Sequence, residues 1–224
     1  GTDRESRCFC PKRLLFRMKK NRHKFPPFDD FLDLAENNFH SANLLIFHGI
    51  SGSGKSSYLH FLTHHHPAFK DKSSHWIWTR HRRFNPCGIQ GKELVVVDEI
   101  VSPLQIPAVR SLLRTNQKVA VASHLHPLWF KIFCPSIPRQ SFKTDSSIDK
   151  LSTHLDRLGV PHSQSSLKAF SRKYGSNFVD LHCVLESAPR QSFDCALKFN
   201  QKFNEISVAK QKNWTPVLPR FDFD

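Results

Sequence analysis

The sequence predicts an α/β fold, a three-layer core with a parallel sheet between helices, followed by a small helical lid. Three observations predict it. Short apolar runs at 43–48, 93–98 and 118–123 read as strands buried on both faces. Helical segments separate these runs, and strand–helix alternation of this kind builds a parallel sheet with crossover helices. After Asp145 the strand signals stop and the pattern becomes helical to about residue 203.

Along the chain, residues 1–27 are basic and end in Phe25-Pro26-Pro27, which reads as an arm running up to the core. Phe28-Asp29-Asp30-Phe31-Leu32 opens a helical segment reaching about Phe39. Strand 43–48 and a helix over 55–65 follow. His75-Trp76-Ile77-Trp78-Thr79 alternates in polarity and reads as a second strand. Strand 93–98 comes next, then Pro103 as a helix start with Ala108 to Arg114 as its body. Lys118 to Ser123 is a further buried strand, and Pro127 to Pro138 is apolar and bounded by prolines. Gln140 to Thr144 reads as a short last strand. Helices are expected over Ile148–Leu158, with Gly159 as its cap, Ser165–Tyr174, Asn177–Glu186 and Phe193–Phe203. The expected organisation is a basic arm (1–27), a core (28–146), a helical lid (147–205) and an irregular tail (206–224).

The stretch Gly49-Ile50-Ser51-Gly52-Ser53-Gly54-Lys55-Ser56 matches G-x-x-x-x-G-K-[ST] at every fixed position. It lies between an expected strand and an expected helix, the setting in which it works as a phosphate-binding loop. Glycines let the backbone bend sharply and approach a ligand, so that N–H groups of Gly49, Ser51, Gly52, Ser53, Gly54 and Ser57 turn toward an anion at a helix N-terminus. Lys55 would meet the β- and γ-phosphates, and Ser56 would place its hydroxyl on Mg²⁺. The core is therefore expected to be a P-loop NTPase fold.

Glu93-Leu94-Val95-Val96-Val97-Asp98-Glu99 adds a β-branched strand ending in two acids, about 40 residues after the loop. Carboxylates at the C-terminal end of a parallel strand face the crevice where such sheets bind ligands. Asp98 would hold Mg²⁺ and Glu99 would orient or deprotonate the attacking water.

Composition bounds the partners. The 224 residues are 39% apolar and 12% aromatic, sufficient for one sizeable core. No apolar run approaches the roughly 18 residues of a membrane span. The N-terminal residues carry no apolar leader, and cytoplasm is the expected compartment. Lysine and arginine number 33 against 19 acids, a net charge of +14 that suits a polyanionic partner. Nine basic residues and two acids fall within residues 1–24, so half of that charge, +7, lies in the arm. The arm and the Arg80-His81-Arg82-Arg83 segment read as nucleic-acid contacts; a solvated basic tail is the other reading of the arm. Six scattered cysteines form no C-x-x-C pair and suggest no disulfide framework. Cys8-Phe9-Cys10 with His23 has poor spacing for zinc, and His64-His65-His66 suits a helix C-terminus better than a metal.

Together these motifs resemble the AAA+ ATPases, within the additional-strand class of P-loop proteins. That class places an extra strand between the phosphate-loop strand and the Asp-Glu strand, and Trp76–Thr79 is its match here. The resemblance implies ATP and Mg²⁺ as cofactors and a polar residue that senses the γ-phosphate, Ser123, with His124 beside it. Phe28-Asp29-Asp30-Phe31 with Asn37 or Asn38, and Tyr174 to Leu181 in the lid, look like the replication-initiator and helicase-loader branch. The chain departs from the family at two places. The position of the lid arginine holds Val179, and Arg139 is the only basic residue near the position of the arginine finger.

Three functions follow. One is an ATPase acting on nucleic acid or on a protein bound to it, either with a protein partner or as a self-oligomer. No N/T-K-x-D guanine-reading motif follows the core, which favours ATP. The second is a small-molecule kinase, with Thr79 to Arg83 clamping an anionic acceptor, although Arg157, Arg172 and Arg190 are scattered in the lid. The third is a nucleotide-regulated scaffold that hydrolyses slowly.

Overall fold

Five strands, all parallel, form the sheet: β1 (Leu44–His48), β2 (Ser74–Trp78), β3 (Leu94–Ile100), β4 (Lys118–Ser123) and β5 (Arg139–Lys143), in the order β2-β3-β4-β1-β5. A computed structural model describes residues 29–79 and 83–201. The expectations for the arm, for Arg80–Arg82, for Cys8, Cys10 and His23 and for the tail lie outside the described residues.

Side-chain alternation along each strand divides the core into two layers. Leu45 and Phe47 of β1 face α1 (Lys55–His64), packing with its Tyr58, Leu59 and Leu62. Leu44 and Ile46 face the other way, onto α2 (Ile106–Thr115) and α3 (Leu128–Phe133), with Val109, Leu112 and Phe130. Each of these side chains is fully buried or nearly so, which contributes roughly 1.5–3 kcal/mol apiece relative to exposure. Both faces are covered, so the sheet is the middle of three layers.

The strand that separates β1 from β3 is β4, not the Trp76–Thr79 strand expected there from the sequence. The reason is burial. Val119 to Ser123 is buried throughout and pairs on both edges, whereas β2 exposes Ser74, His75 and Trp78 and pairs only with β3. The expected helix over 28–39 does not form either. The Asp30 carboxylate accepts hydrogen bonds from Leu32 N and Ala35 N, Asp33 adopts φ 51°, and only Leu34–Glu36 makes a 3-10 turn. Asp and Asn side chains compete in this way with helical backbone pairing. His66, the last of the three histidines, is buried and donates from Nε2 to Leu34 O at 3.0 Å, fixing that turn onto α1.

After β5 come α4 (Ile148–Arg157), α5 (Gln164–Tyr174), α6 (Phe178–Ser187) and a helix α7 over 193–201. They surround a third apolar cluster that includes Leu155, Phe170, Leu181 and Phe193. Ser147, Ser163 and Asn177 cap the N-termini of α4, α5 and α6 through their side-chain oxygens. Among the described residues no helix is long and apolar enough to cross a membrane.

Candidate functional site

Because every strand is parallel, the C-terminal ends of β1, β3 and β4 share one rim, and the loop 49–54 rises from it into α1. Close packing dictates its glycines. A Cβ on Gly49 would stand 2.1 Å from the Thr144 carbonyl oxygen, so no side chain fits. Gly52 has φ +77°, and a Cβ there would stand 2.7 Å from Asn177 Cβ. Ser53 is buried. Its Oγ donates to Ile50 O at 2.8 Å and lies 2.7 Å from Thr144 Oγ1, which ties the loop to the end of β5. Ser51 is exposed on the loop, and Ser57 lies on the first turn of α1.

The Lys55 ammonium donates to Gly49 O at 2.9 Å and Ile50 O at 2.6 Å. Burial pushes its pKa down to about 8, with Asp98 and Glu99 pulling the other way. Ser56 Oγ donates to Asp98 Oδ1 at 3.1 Å, so the loop and the Asp-Glu strand meet at these two residues. Asp98 is 2% exposed. Its carboxyl pKa is raised, chiefly by burial, against the hydrogen bonds from Ser56 and from Glu99 N. A hydroxyl beside a buried carboxylate, next to a phosphate loop, fits Mg²⁺, which takes few protein ligands and completes its octahedron with phosphate and water. Among the described residues no group of three or more His, Cys, Asp or Glu is arranged to hold a metal by itself.

A β-bulge sets the two acids apart. Val97 pairs with Val121 and Ile100 with Ser123, so Asp98 and Glu99 together oppose Ala122. Glu99 takes φ +67°, which leaves Asp98 inward and Glu99 exposed in the crevice. Thr79, buried beyond the end of β2, locks the bulge: its hydroxyl lies 2.7 Å from both Asp98 O and Glu99 O. A strained left-handed residue of this kind costs on the order of 1–3 kcal/mol and is typical of active sites.

Ser123 is fully buried. Its Oγ accepts from Leu125 N at 2.9 Å and donates to Ile100 O at 3.4 Å, so the hydroxyl serves its own turn. The neighbouring His124 is exposed and sits in the fields of both Lys55 and Glu99. Partial desolvation of its ring and then the Lys55 charge lower its pKa, opposed by Glu99. Arg139 is bound elsewhere: its guanidinium donates to Phe130 O, Cys134 O and Pro135 O, capping the end of α3. The structure thus engages the finger candidate in the fold.

Between the loop and the lid lies a cavity of about 160 Å³, lined by Phe31, Gly54, Tyr58, His154, Phe178 and His182 among others. Val179 lines it too and is 55% exposed, so the position expected for a lid arginine presents an apolar surface to the cavity. The lid touches the loop directly, with Phe178 N donating to Gly52 O at 3.0 Å. The sequence gives no sign of Thr144 or His182, nor of the part Thr79 plays in locking the bulge. Each lies far along the chain from the loop, and Asn177 reads in the sequence only as the start of a helix.

No family model matches the chain, and no curated protein matches it. Among solved structures, two variants of RuvB from Thermotoga maritima are similar, with TM-scores of 0.47 and 0.46 and identities of 14% and 12%. Each match covers 73% of this chain, which spans 63% of the RuvB chain.

Proposed function

We propose that this chain is a P-loop ATPase of the AAA+ kind, with a core of residues 28–146 and a lid of 147–205 enclosing Mg-ATP. We place it in the cytoplasm, acting on nucleic acid or on a protein bound to it, alone or as an oligomer. One hydrogen bond carries the reading: Ser56 Oγ on Asp98 Oδ1 at 3.1 Å, with the Lys55 ammonium on the loop beside them. The reading stays at the level of the family: of the two segments on which the initiator-branch resemblance rests, the entry segment folds as a 3-10 turn over Leu34–Glu36 instead of the expected helix.

In this reading the loop amides and Lys55 bind the β- and γ-phosphates. Ser56 and Asp98 would hold Mg²⁺, which offsets charge on the phosphate oxygens. Glu99, held outward by the bulge, orients the attacking water and takes its proton. His124, rather than the fully hydrogen-bonded Ser123, is the polar group at the end of β4 left to face the γ-phosphate.

The deciding experiment is ATP hydrolysis with Mg²⁺, alone and with single- or double-stranded DNA, across a range of protein concentrations. Turnover that rises with DNA and with protein concentration supports a DNA-linked, oligomerising ATPase. The scaffold reading has its own support, since Val179 stands at the expected lid-arginine position and Arg139 is engaged by backbone carbonyls. Tight binding with slow turnover that DNA leaves unchanged would select it.

A further inference from the structure

From Ile100 to Thr144 the chain holds no aspartate or glutamate. The stretch is 45 residues long, and 19 acids in 224 residues would place about four in it. It carries six basic residues instead. With the arm's +7, this +6 accounts for 13 of the net +14, so the remainder of the chain is close to neutral. β4 lies inside the sheet, which leaves α2 and α3 as most of the exposed part of the stretch.

Two of the six cations serve the fold. The Lys118 ammonium donates to Phe39 O and Ala42 O, and the Arg139 guanidinium caps α3. Three others lie on the two helices. Arg110 and Arg114 are exposed, four residues apart on one face of α2, and Lys131 is exposed on α3. None of these three has an ion pair among the described residues. α2 and α3 pack together, and Arg110 stands close enough for its charge to act on the thiol of Cys134, at the end of α3.

α3 also turns apolar side chains outward. Phe130 anchors it in the core, fully buried, while Leu128, Trp129 and Ile132 are 54%, 41% and 58% exposed. Phe133 supports the Trp129 ring, with planes 23° apart and centroids at 6.2 Å. A supported indole among unpaired cations has the composition of a stacking platform: the cations attract phosphates and the ring takes a base. Bases in a duplex are already stacked on one another, so a free ring suits a single strand. Leu128 and Ile132 offer no partner to a ribose 2′-hydroxyl, which suits deoxyribose. A second copy placed face to face would bring the same positive charge, and like charges oppose that pairing.

We infer that the outer face of α2 and α3 binds single-stranded DNA, with a base stacked on Trp129 and phosphates on Arg110, Arg114 and Lys131. The inference rests on the reading that the chain acts on nucleic acid, and it gives that action a surface in the core, apart from the arm.

The test is binding of labelled oligo(dT) to the full chain by fluorescence anisotropy at several salt concentrations. The triple variant Arg110→Gln, Arg114→Gln, Lys131→Gln should bind more weakly and reduce the salt slope by about 2, at about 0.7 for each single-strand phosphate no longer neutralised. Trp129→Ala should weaken binding by about five-fold or more. Trp129→Phe keeps a ring, so it should hold affinity within about two-fold while losing the tryptophan quenching that oligo(dT) causes in the native chain. The substituted side chains are exposed, so melting temperatures should match the native chain. Native affinity and slope in both the triple variant and Trp129→Ala would overturn the surface and leave the nucleic-acid reading standing. An equal loss of duplex or oligo(U) binding in Trp129→Ala would overturn the choice of single-stranded DNA. A changed oligomeric state in Trp129→Ala, with DNA binding intact, would reassign the face to a contact between copies. No binding of any nucleic acid by the native chain would overturn both readings.

Discussion

Ser56 and Asp98 are 42 residues apart in the chain and 3.1 Å apart in the fold, oxygen to oxygen. Their meeting is a product of sheet order. β4 separates β1 from β3, which leaves room at the rim for a helix start on one side and a carboxylate on the other. A buried carboxylate with a hydroxyl as its neighbour is costly on its own and useful when a cation is bound.

Asp98→Asn should therefore stabilise the free protein at neutral pH and abolish the effect of Mg²⁺ on nucleotide binding. The folded carboxyl titrates above its unfolded value, so the folded state binds more protons in that window and stability falls as pH rises through it. Asparagine keeps an oxygen for Ser56 and Glu99 N but carries no charge. Melting temperature without Mg²⁺, and ATP affinity with and without Mg²⁺, check both halves. A lower melting temperature in the variant would show that the carboxylate stabilises the fold.

Glu99→Gln should bind ATP normally and lose turnover by about 100-fold or more, the usual scale for removing a general base. Glu99→Gly should lose turnover equally but gain about 1 kcal/mol of stability over Glu99→Gln, because glycine accepts φ +67° without strain. Denaturant unfolding compares the two variants. Turnover retained in Glu99→Gln would remove Glu99 from the chemistry.

Local signals in the sequence were enough for most of the core. Apolar runs placed β1, β3 and β4 to within a residue or two, and the loop motif located the start of α1. What the sequence could not carry was the neighbour relation. β2 and β4 are both short strands, and which one lies between β1 and β3 depends on pairing across the sheet. Asp30 and Asp33 broke an expected helix through side-chain and backbone geometry that amphipathic patterning does not register. In the site, Lys55, Ser56, Asp98 and Glu99 were legible because motif spacing carries them. Thr79, Thr144 and His182 act between distant segments, so no spacing could reveal them.

Deleting residues 1–24 should weaken DNA binding and flatten its salt dependence. The segment holds nine basic residues and two acids. For duplex DNA, the slope of log K against log salt falls by about 0.9 for every phosphate that the shortened chain no longer neutralises. Binding measured at several salt concentrations for both chains therefore gives the number of phosphates that the arm engages. An unchanged slope would assign the arm's charge to solubility and leave DNA binding to the core.

If the loop binds a triphosphate as proposed, Lys55 should make that binding a proton-linked event. Burial holds its ammonium at a pKa of about 8 in the free protein, so about half of the molecules carry the charge at that pH. A triphosphate needs the charge and restores it, which means that binding at pH 8 should take up to about half a proton from solution. Calorimetry in two buffers of different ionisation enthalpy measures that uptake. At pH 6, where Lys55 is already charged, uptake through this residue should vanish, and above pH 8 affinity should fall steadily. The free protein behaves oppositely: its folded pKa lies below the unfolded one, so stability rises as pH climbs from about 8 toward 10 and the buried charge is lost. Lys55→Arg keeps its charge at every pH and should bind with no uptake. Equal uptake in the native chain and in Lys55→Arg would move the linked proton to another group, and its absence in both would mean that Lys55 is fully charged before nucleotide arrives.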